Sequence, residues 1–204
     1  MPEIIRGIEQ NSPEWWELRN GSIGGSSVPA IIAKGKGKAE SKMRRSLRYS
    51  LAAEILTGVR DETYSNKYMD RGHTFEPKAR EYYELINDVE VEQIAMIKSN
   101  LPRVHVSPDG LIGEDGGLEI KTLMPHIFVE LLDTGIIDGY HIKQCQHFLS
   151  VSGRKWIDYM AYCSEMPDPS WIKRLYRDEE MISLLESEIM VFLKELDELL
   201  ERLK

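Results

Sequence analysis

Apolar residues at Met43, Leu47, Leu51 and Ile55 recur every four positions, a spacing that predicts a helix from about Ser41 to Thr57, stopped by Gly58. Ile182, Leu185, Ile189, Phe192, Leu196, Leu199 and Leu203 keep the same period, so Asp178 to Lys204 reads as a long amphipathic helix. Ser12-Pro13-Glu14 combines an N-cap, an N1 proline and a first-turn acid, so a short helix from Pro13 to Arg19 is expected. Further helices are expected at Val28 to Ala33, about Lys67 to Ile86, Pro125 to Leu132 and Asp138 to Val151. Val89 to Ile97, Arg103 to Val106, Leu118 to Leu123, Lys155 to Tyr162 and Trp171 to Tyr176 alternate or are rich in β-branched residues and read as strands. The breakers Ser107-Pro108-Asp109-Gly110, Asp115-Gly116-Gly117 and Pro167-Asp168-Pro169 separate them. This order predicts an α/β domain over 1–204 with a central mixed β-sheet flanked by helices, a core at about 67–165 and the acidic helix at its end.

Charge narrows the partners. The 204 residues hold 26 Lys plus Arg against 34 Asp plus Glu, a net charge of −8, so bulk charge cannot drive nucleic-acid binding. The imbalance is local. Residues 178–204 carry nine acids and three bases, whereas 34–48 carry seven bases (Lys34, Lys36, Lys38, Lys42, Arg44, Arg45, Arg48) and one acid, Glu40. The expectation is that the basic segment meets phosphates while the terminal helix lies away from them; two solvated faces are the plainer alternative. No stretch reaches the ~18 apolar residues of a membrane span, and no signal core opens the chain. Cys145 and Cys163 form neither a disulfide framework nor a zinc pattern, which favours a reducing cytoplasm. The five histidines read as ordinary polar or core residues, and both cysteines as buried small ones.

The chemistry concentrates in Pro108-Asp109 and Glu119-Ile120-Lys121. Glu119 and Lys121 lie two apart on one strand, so their side chains share a face. A short turn would bring Asp109 to them as a hairpin. Paired carboxylates are hard oxygen ligands suited to Mg²⁺, and a neighbouring lysine can orient or deprotonate a water and offset charge on a phosphorane. The motif alone is short and degenerate, and a charged surface hairpin explains it equally well.

Longer motifs surround it. Trp15 to Ser26 reads W-W-E-L-R-N-G-S-I-G-G-S, Ala53 to Gly58 A-E-I-L-T-G, and Arg71 to Glu76 R-G-H-T-F-E. Ser107 to Leu111 reads S-P-D-G-L, Gly117 to Lys121 G-L-E-I-K, and Gln144 to Gln146 Q-C-Q. In this order and spacing they resemble the phage lambda exonuclease group, the YqaJ-like viral recombinases of the PD-(D/E)XK nuclease superfamily, over about residues 13–150. The resemblance implies a restriction-endonuclease-like core and a Mg²⁺-dependent exonuclease, with two ions in use and Mn²⁺ a substitute. It would digest double-stranded DNA from 5′-phosphorylated ends, release mononucleotides and leave 3′ overhangs for phage-type recombination by strand annealing.

By the same resemblance Asp109, Glu119 and the Ile120 carbonyl would hold metal, Lys121 would activate water, Glu76 would hold metal-bound waters, and Gln144 would position Lys121 or the nucleophile. Arg19, Ser26 and Ser107 match the positions that grip the terminal 5′-phosphate. Met69 falls where the family places an apolar wedge, or in a helix core. Trp15 or Trp16 could stack on a DNA end, but adjacent helix residues point about 100° apart, so at least one packs inside. Lys34, Lys36, Lys38, Arg44 and Arg45 are the expected DNA-backbone contacts. A ring-shaped homotrimer and a single-strand annealing protein are the partners implied, in a bacterial host cytoplasm. Two rivals stand beside this reading: another nuclease on the same core, endonucleolytic or specific for single strands, and a catalytically silent DNA-end binder.

Overall fold

The structure is a computed structural model that describes residues 2–37, 39–59 and 67–204, with backbone alone for 67–70. The expected roles of Lys38 and of the Met69 side chain therefore lie outside the described residues. Two sheets form the framework. Strands β1 (Glu3–Ile5), β2 (Met96–Lys98) and β3 (His105–Val106) make a small antiparallel sheet. Strands β4 (Gly110–Ile112), β5 (Gly116–Thr122), β6 (Trp156–Tyr162) and β7 (Ser170–Tyr176) make a mixed sheet in that order. Only β5 and β6 run parallel, and helices α5 (Pro125–Thr134) and α6 (Gly139–Ser152) cross between them. A mixed sheet flanked by helices was expected, and the β5–α5–α6–β6 crossover is the physical reason that it is mixed.

The N-terminal half supplies helices α1 (Pro13–Arg19), α2 (Val28–Ile31), α3 (Lys42–Thr57) and α4 (Lys67–Asn87), of which α4 packs on β5 and α1 on the small sheet. Ser12 Oγ accepts from the Trp15 N–H, so α1 starts where its cap signal placed it, and Gly58 ends α3 in a left-handed conformation (φ 68°) that suits glycine. The last helix, α7 (Glu179–Leu203), starts at Asp178, whose carboxylate accepts from the Met181 N–H. It buries Ile182, Leu185, Ile189, Phe192, Leu196 and Leu199 in the main core with Phe128, Leu149 and Ile157.

Several expectations change here. Val89 to Ile97 is a strand only from Met96 on; the run before it makes a single bridge, Glu92 to Leu111. Gly110, expected within a turn, begins β4, and β1 was not foreseen because three residues carry too little periodicity to read. The charge map is corrected more deeply. The acidic helix does not lie away from the basic segment but packs on it. Arg44 is buried; its Nη1 donates to the Ile31 carbonyl (2.5 Å) and Glu188 (3.1 Å), and its Nη2 to Glu195 (3.1 Å). Arg48 bridges Glu40 (2.6 Å) and Glu195 (2.7 Å). Arg44 is thus a structural cation and not a DNA contact, because desolvating it required partners that α7 supplies. Lys34, Lys36 and Arg45 stay exposed.

Candidate active site

The β4–β5 hairpin builds the centre. Gly110 pairs with Leu118, the Asp109 N–H donates to the Leu118 carbonyl (3.2 Å), and the Ile120 N–H donates to Asp109 Oδ2 (2.5 Å). This last bond fixes the Asp109 carboxylate beside the strand that carries Glu119 and Lys121. Glu119 is buried, and its Oε1 accepts from Lys121 Nζ (2.5 Å) and Gln144 Nε2 (2.6 Å). Gln144 reaches it from α6, so the Q-x-Q signal holds a carboxylate in place.

Glu76 approaches from α4. Its Oε1 accepts from Arg80 Nη2 (2.5 Å), and Arg80 Nε donates to the Asp109 carbonyl (3.0 Å). Pro77 sits inside the helix rather than at its start, and removes one backbone donor next to Glu76. Glu76 and Asp109 line one cavity of about 360 Å³, with His73, Pro77 and Arg80. Burial, then the charges of Glu119 and Glu76, push Asp109 well above the usual carboxylate range. Burial would lower Lys121, but Glu119 and Asp109 override it and raise the ammonium above its ordinary value. The site thus carries an excess of negative charge that disfavours the ionised Asp109 carboxylate and favours a cation.

Among the described residues, no three His, Cys, Asp or Glu side chains converge as a ready ion cage. The available hard donors are the Asp109 carboxylate just before β4, the Glu119 carboxylate on β5 and the Ile120 carbonyl between Glu119 and Lys121. That donor set, with its unbalanced charge, suits a divalent cation that keeps water in its remaining positions.

A second cavity of about 140 Å³ adjoins the first and shares Gln10 with it. Its walls include Arg19, Ser26, Ser107, His105, Glu119 and Gln144. The three residues expected to grip a phosphate are therefore gathered, and they open onto the same space as Glu119. The Ser107 Oγ and the His105 Nε2 are both buried without a hydrogen-bond partner among the described residues. Arg19 lies over Trp15 (4.1 Å from guanidinium to ring centroid) and Trp16 (5.2 Å). Trp15 itself is 3% exposed and donates from Nε1 to the Ala95 carbonyl (2.9 Å). The expectation that Trp15 stacks on DNA is corrected: its ring is core and serves as the floor under Arg19.

The paired glycines have a local reason. A Cβ at Gly24 would lie 2.9 Å from His105 Nε2 and 3.1 Å from Arg19 Nη2, and one at Gly25 would lie 3.2 Å from Gln144 Cγ. Residue-by-residue reading missed Arg80, Gln10 and His105. Arg80 had a signal, its i,i+4 spacing from Glu76. Gln10, which donates to the Ile94 and Pro108 carbonyls, and His105 on β3 had none, because only the packing of the small sheet on the hairpin brings them in.

Comparison with known proteins agrees with this geometry. No curated protein sequence is significantly similar to the chain. The model of the YqaJ-like viral recombinase domain matches residues 14–155. An alkaline exonuclease, LHK-Exo from Laribacter hongkongensis, superposes with a TM-score of 0.87 at 30% identity, over 94% of this chain and 96% of that one. The same protein in complex with dAMP gives 0.87 at 31% identity, over 95% and 96%. A phage related exonuclease from Haemophilus somnus 129PT shares the fold, with a TM-score of 0.68 at 13% identity over 90% of this chain and 96% of that one. With hairpin carboxylates, lysine and glutamine in the order of the motifs, and a matched domain that covers most of its length, the chain belongs to the YqaJ-like viral recombinase family.

Proposed function

We propose that this protein is a Mg²⁺-dependent 5′-to-3′ exonuclease of double-stranded DNA that releases mononucleotides and leaves 3′ single-stranded overhangs for strand-annealing recombination. The observation that carries the reading is the smaller cavity, where a candidate phosphate grip (Arg19, Ser26, Ser107) shares walls with Glu119 and Gln144. A grip on the terminal phosphate beside the reactive carboxylates makes a chain end, rather than an internal site, the preferred substrate. The relative seen with dAMP is consistent with a nucleoside monophosphate product.

Asp109, Glu119 and the Ile120 carbonyl would hold the metal, and Glu76 its water ligands. When bound, Mg²⁺ would polarise the phosphodiester and acidify a water; Mn²⁺, which accepts the same hard ligands, is the expected substitute. The Ile120 N–H keeps Asp109 turned toward β5, and Gln144 and Lys121 hold Glu119. Lys121, kept as an ammonium by its two carboxylate neighbours, orients the attacking water and offsets charge on the phosphorane. Arg19 presents a planar fork to the terminal phosphate, and the Ser26 and Ser107 hydroxyls add donors.

Lys34, Lys36 and Arg45 are the remaining candidates for backbone contacts. A ring of three copies and a single-strand annealing partner complete the proposal, in the host cytoplasm. No helix among the described residues is long and apolar enough to cross a membrane. The test compares a 5′-phosphorylated linear duplex, its 5′-hydroxyl twin and a closed circle with Mg²⁺. Mononucleotides from the phosphorylated duplex and an intact circle are expected, and Lys121→Ala should abolish release while end binding persists. Rapid cutting of the circle would overturn the reading in favour of an endonuclease, and unchanged degradation by Lys121→Ala would remove the mechanism.

A further inference from the structure

His105 lies outside the motifs that carry the family resemblance, yet it faces the phosphate cavity with a ring nitrogen that no described residue satisfies. Its side chain is 2% exposed. Its Nδ1 lies 2.8 Å from Ser22 Oγ, which lies 2.8 Å from the Arg19 carbonyl. A carbonyl only accepts; the Arg19 carbonyl takes the Ser22 N–H (3.0 Å), and we assign the single Ser22 hydroxyl proton to its second lone pair. Nδ1 then carries its own proton and donates it to Ser22 Oγ. In this tautomer Nε2 holds a lone pair, buried and without a partner among the described residues, on the wall of the cavity. An orphaned acceptor of this kind costs stability unless something arrives to use it. Gly24, where a Cβ would lie 2.9 Å from this nitrogen, keeps the approach open.

A lone pair is the wrong partner for a fully ionised phosphate, whose oxygens also only accept. It is the right partner for a phosphate that carries a proton. We infer that His105 shares one proton with the 5′-terminal phosphate, as Nε2···H–O–P or Nε2–H···O–P, and thereby distinguishes a terminal monoester from an internal diester. The inference rests on the proposed 5′-phosphate grip and deepens it. A monoester has a second ionisation near pH ~6 and can bring or share a proton; a diester has no second proton to share. The proton comes from the monoester monoanion, or from solvent when the dianion binds, and no covalent bond changes.

The surroundings agree. Burial, then the charges of Arg19 and His147, lower the empty-site imidazole to about 3, so it is bare at neutral pH. The groups that face it are Arg19 from α1, His147 from α6, whose Nε2 donates to the His105 carbonyl (3.3 Å), and Glu119 across the cavity. A bound phosphate dianion would add negative charge against Nε2 and hold the shared proton up to a higher pH than either group holds it alone.

The test measures the affinities of 5′-phosphorylated and 5′-hydroxyl duplexes by fluorescence anisotropy in EDTA from pH 6 to 8.5. The preference for the phosphate is the ratio of the two dissociation constants. In the native protein this ratio should fall with rising pH, toward tenfold per unit over part of the range, and calorimetry in buffers of different ionisation enthalpy should show uptake of about one proton at pH 7.5. Gln in place of His105 supplies a fixed N–H, so His105→Gln should keep a preference that no longer varies with pH. His105→Ala should lose about tenfold of the preference at pH 6.5 and show no slope. Ser22→Ala leaves the imidazole in place but frees its tautomer, and should flatten the slope without loss of folding. A pH-independent preference in the native protein, or an unchanged slope in His105→Ala, overturns the inference and leaves the phosphate grip intact. No preference at any pH, with duplex ends still bound, overturns the grip itself.

Discussion

Replacing Arg44 by Met separates the structural cations of the basic segment from those left to meet DNA. The methionine keeps most of the apolar stem but removes the guanidinium. The Ile31 carbonyl loses a donor at 2.5 Å, worth about 1–3 kcal/mol for a buried acceptor. Glu188 loses its partner and Glu195 one of two, since Arg48 still donates to it (2.7 Å); their side chains are 40% and 35% exposed and regain water, so the cost falls short of the ~3–5 kcal/mol of a fully buried broken pair. The guanidinium also leaves the Phe192 ring, 5.4 Å away, for a further ~0.5–1 kcal/mol. The sum is a destabilisation of about 2–4 kcal/mol, or a fall in Tm of roughly 4–16 °C for a chain of this size. Urea denaturation measures it, and a double-mutant cycle with Glu195→Gln isolates the ion pair. The salt dependence of DNA binding, measured at a temperature where the variant is folded, should keep its slope, whereas Arg45→Ala or Lys36→Ala should each reduce that slope by about one. An Arg44→Met protein within 0.5 kcal/mol of the parent, or one with a shallower salt slope, would refute the reasoning.

Three further outcomes are expected. Gln144→Ala removes a donor from Glu119 and should slow release of mononucleotides by roughly 10–100-fold, and Gln144→Glu, which sets a like charge against Glu119, should slow it more; equal activity of the two variants would remove the positioning role. His147 is lowered by burial to about 4, opposed by its bond to the His105 carbonyl, so the unfolded chain binds more protons between pH ~6.5 and ~4. Stability from this group is present above that window and lost as pH falls through it, about 3 kcal/mol by pH 4, and a flat urea midpoint between pH 7.5 and 4.5 would contradict this. Gly117→Ala would set a Cβ 2.4 Å from Phe148 Cζ and should cost about 1–3 kcal/mol, much of it recovered in the double variant with Phe148→Leu.

Much of the candidate site was legible because its members are local. Asp109, Glu119 and Lys121 sit on one hairpin, where a period of two and a short turn decide who faces whom. The helix starts at Ser12 and Asp178 and the stop at Gly58 were legible for the same reason, since a cap or a left-handed residue acts within a turn of its own position. Glycine spacing near Ser26 was legible as permissive backbone, but its purpose was not, because His105 and Gln144 arrive from elements 80 and more residues away.

What the sequence by itself determined is therefore the order of elements, the hairpin chemistry and the presence of a basic and an acidic run. Only the tertiary structure decided what those runs are for. Helix α7 had to bury its apolar stripe, and the faces it found were α3 and α6, so Glu188 and Glu195 meet Arg44 and Arg48 at the α3 edge. Net charge is a sum over the chain and is blind to that pairing. The same blindness hid His105, whose neutral, buried ring acquires a role only because α1, β3 and the β4–β5 hairpin close around one small cavity.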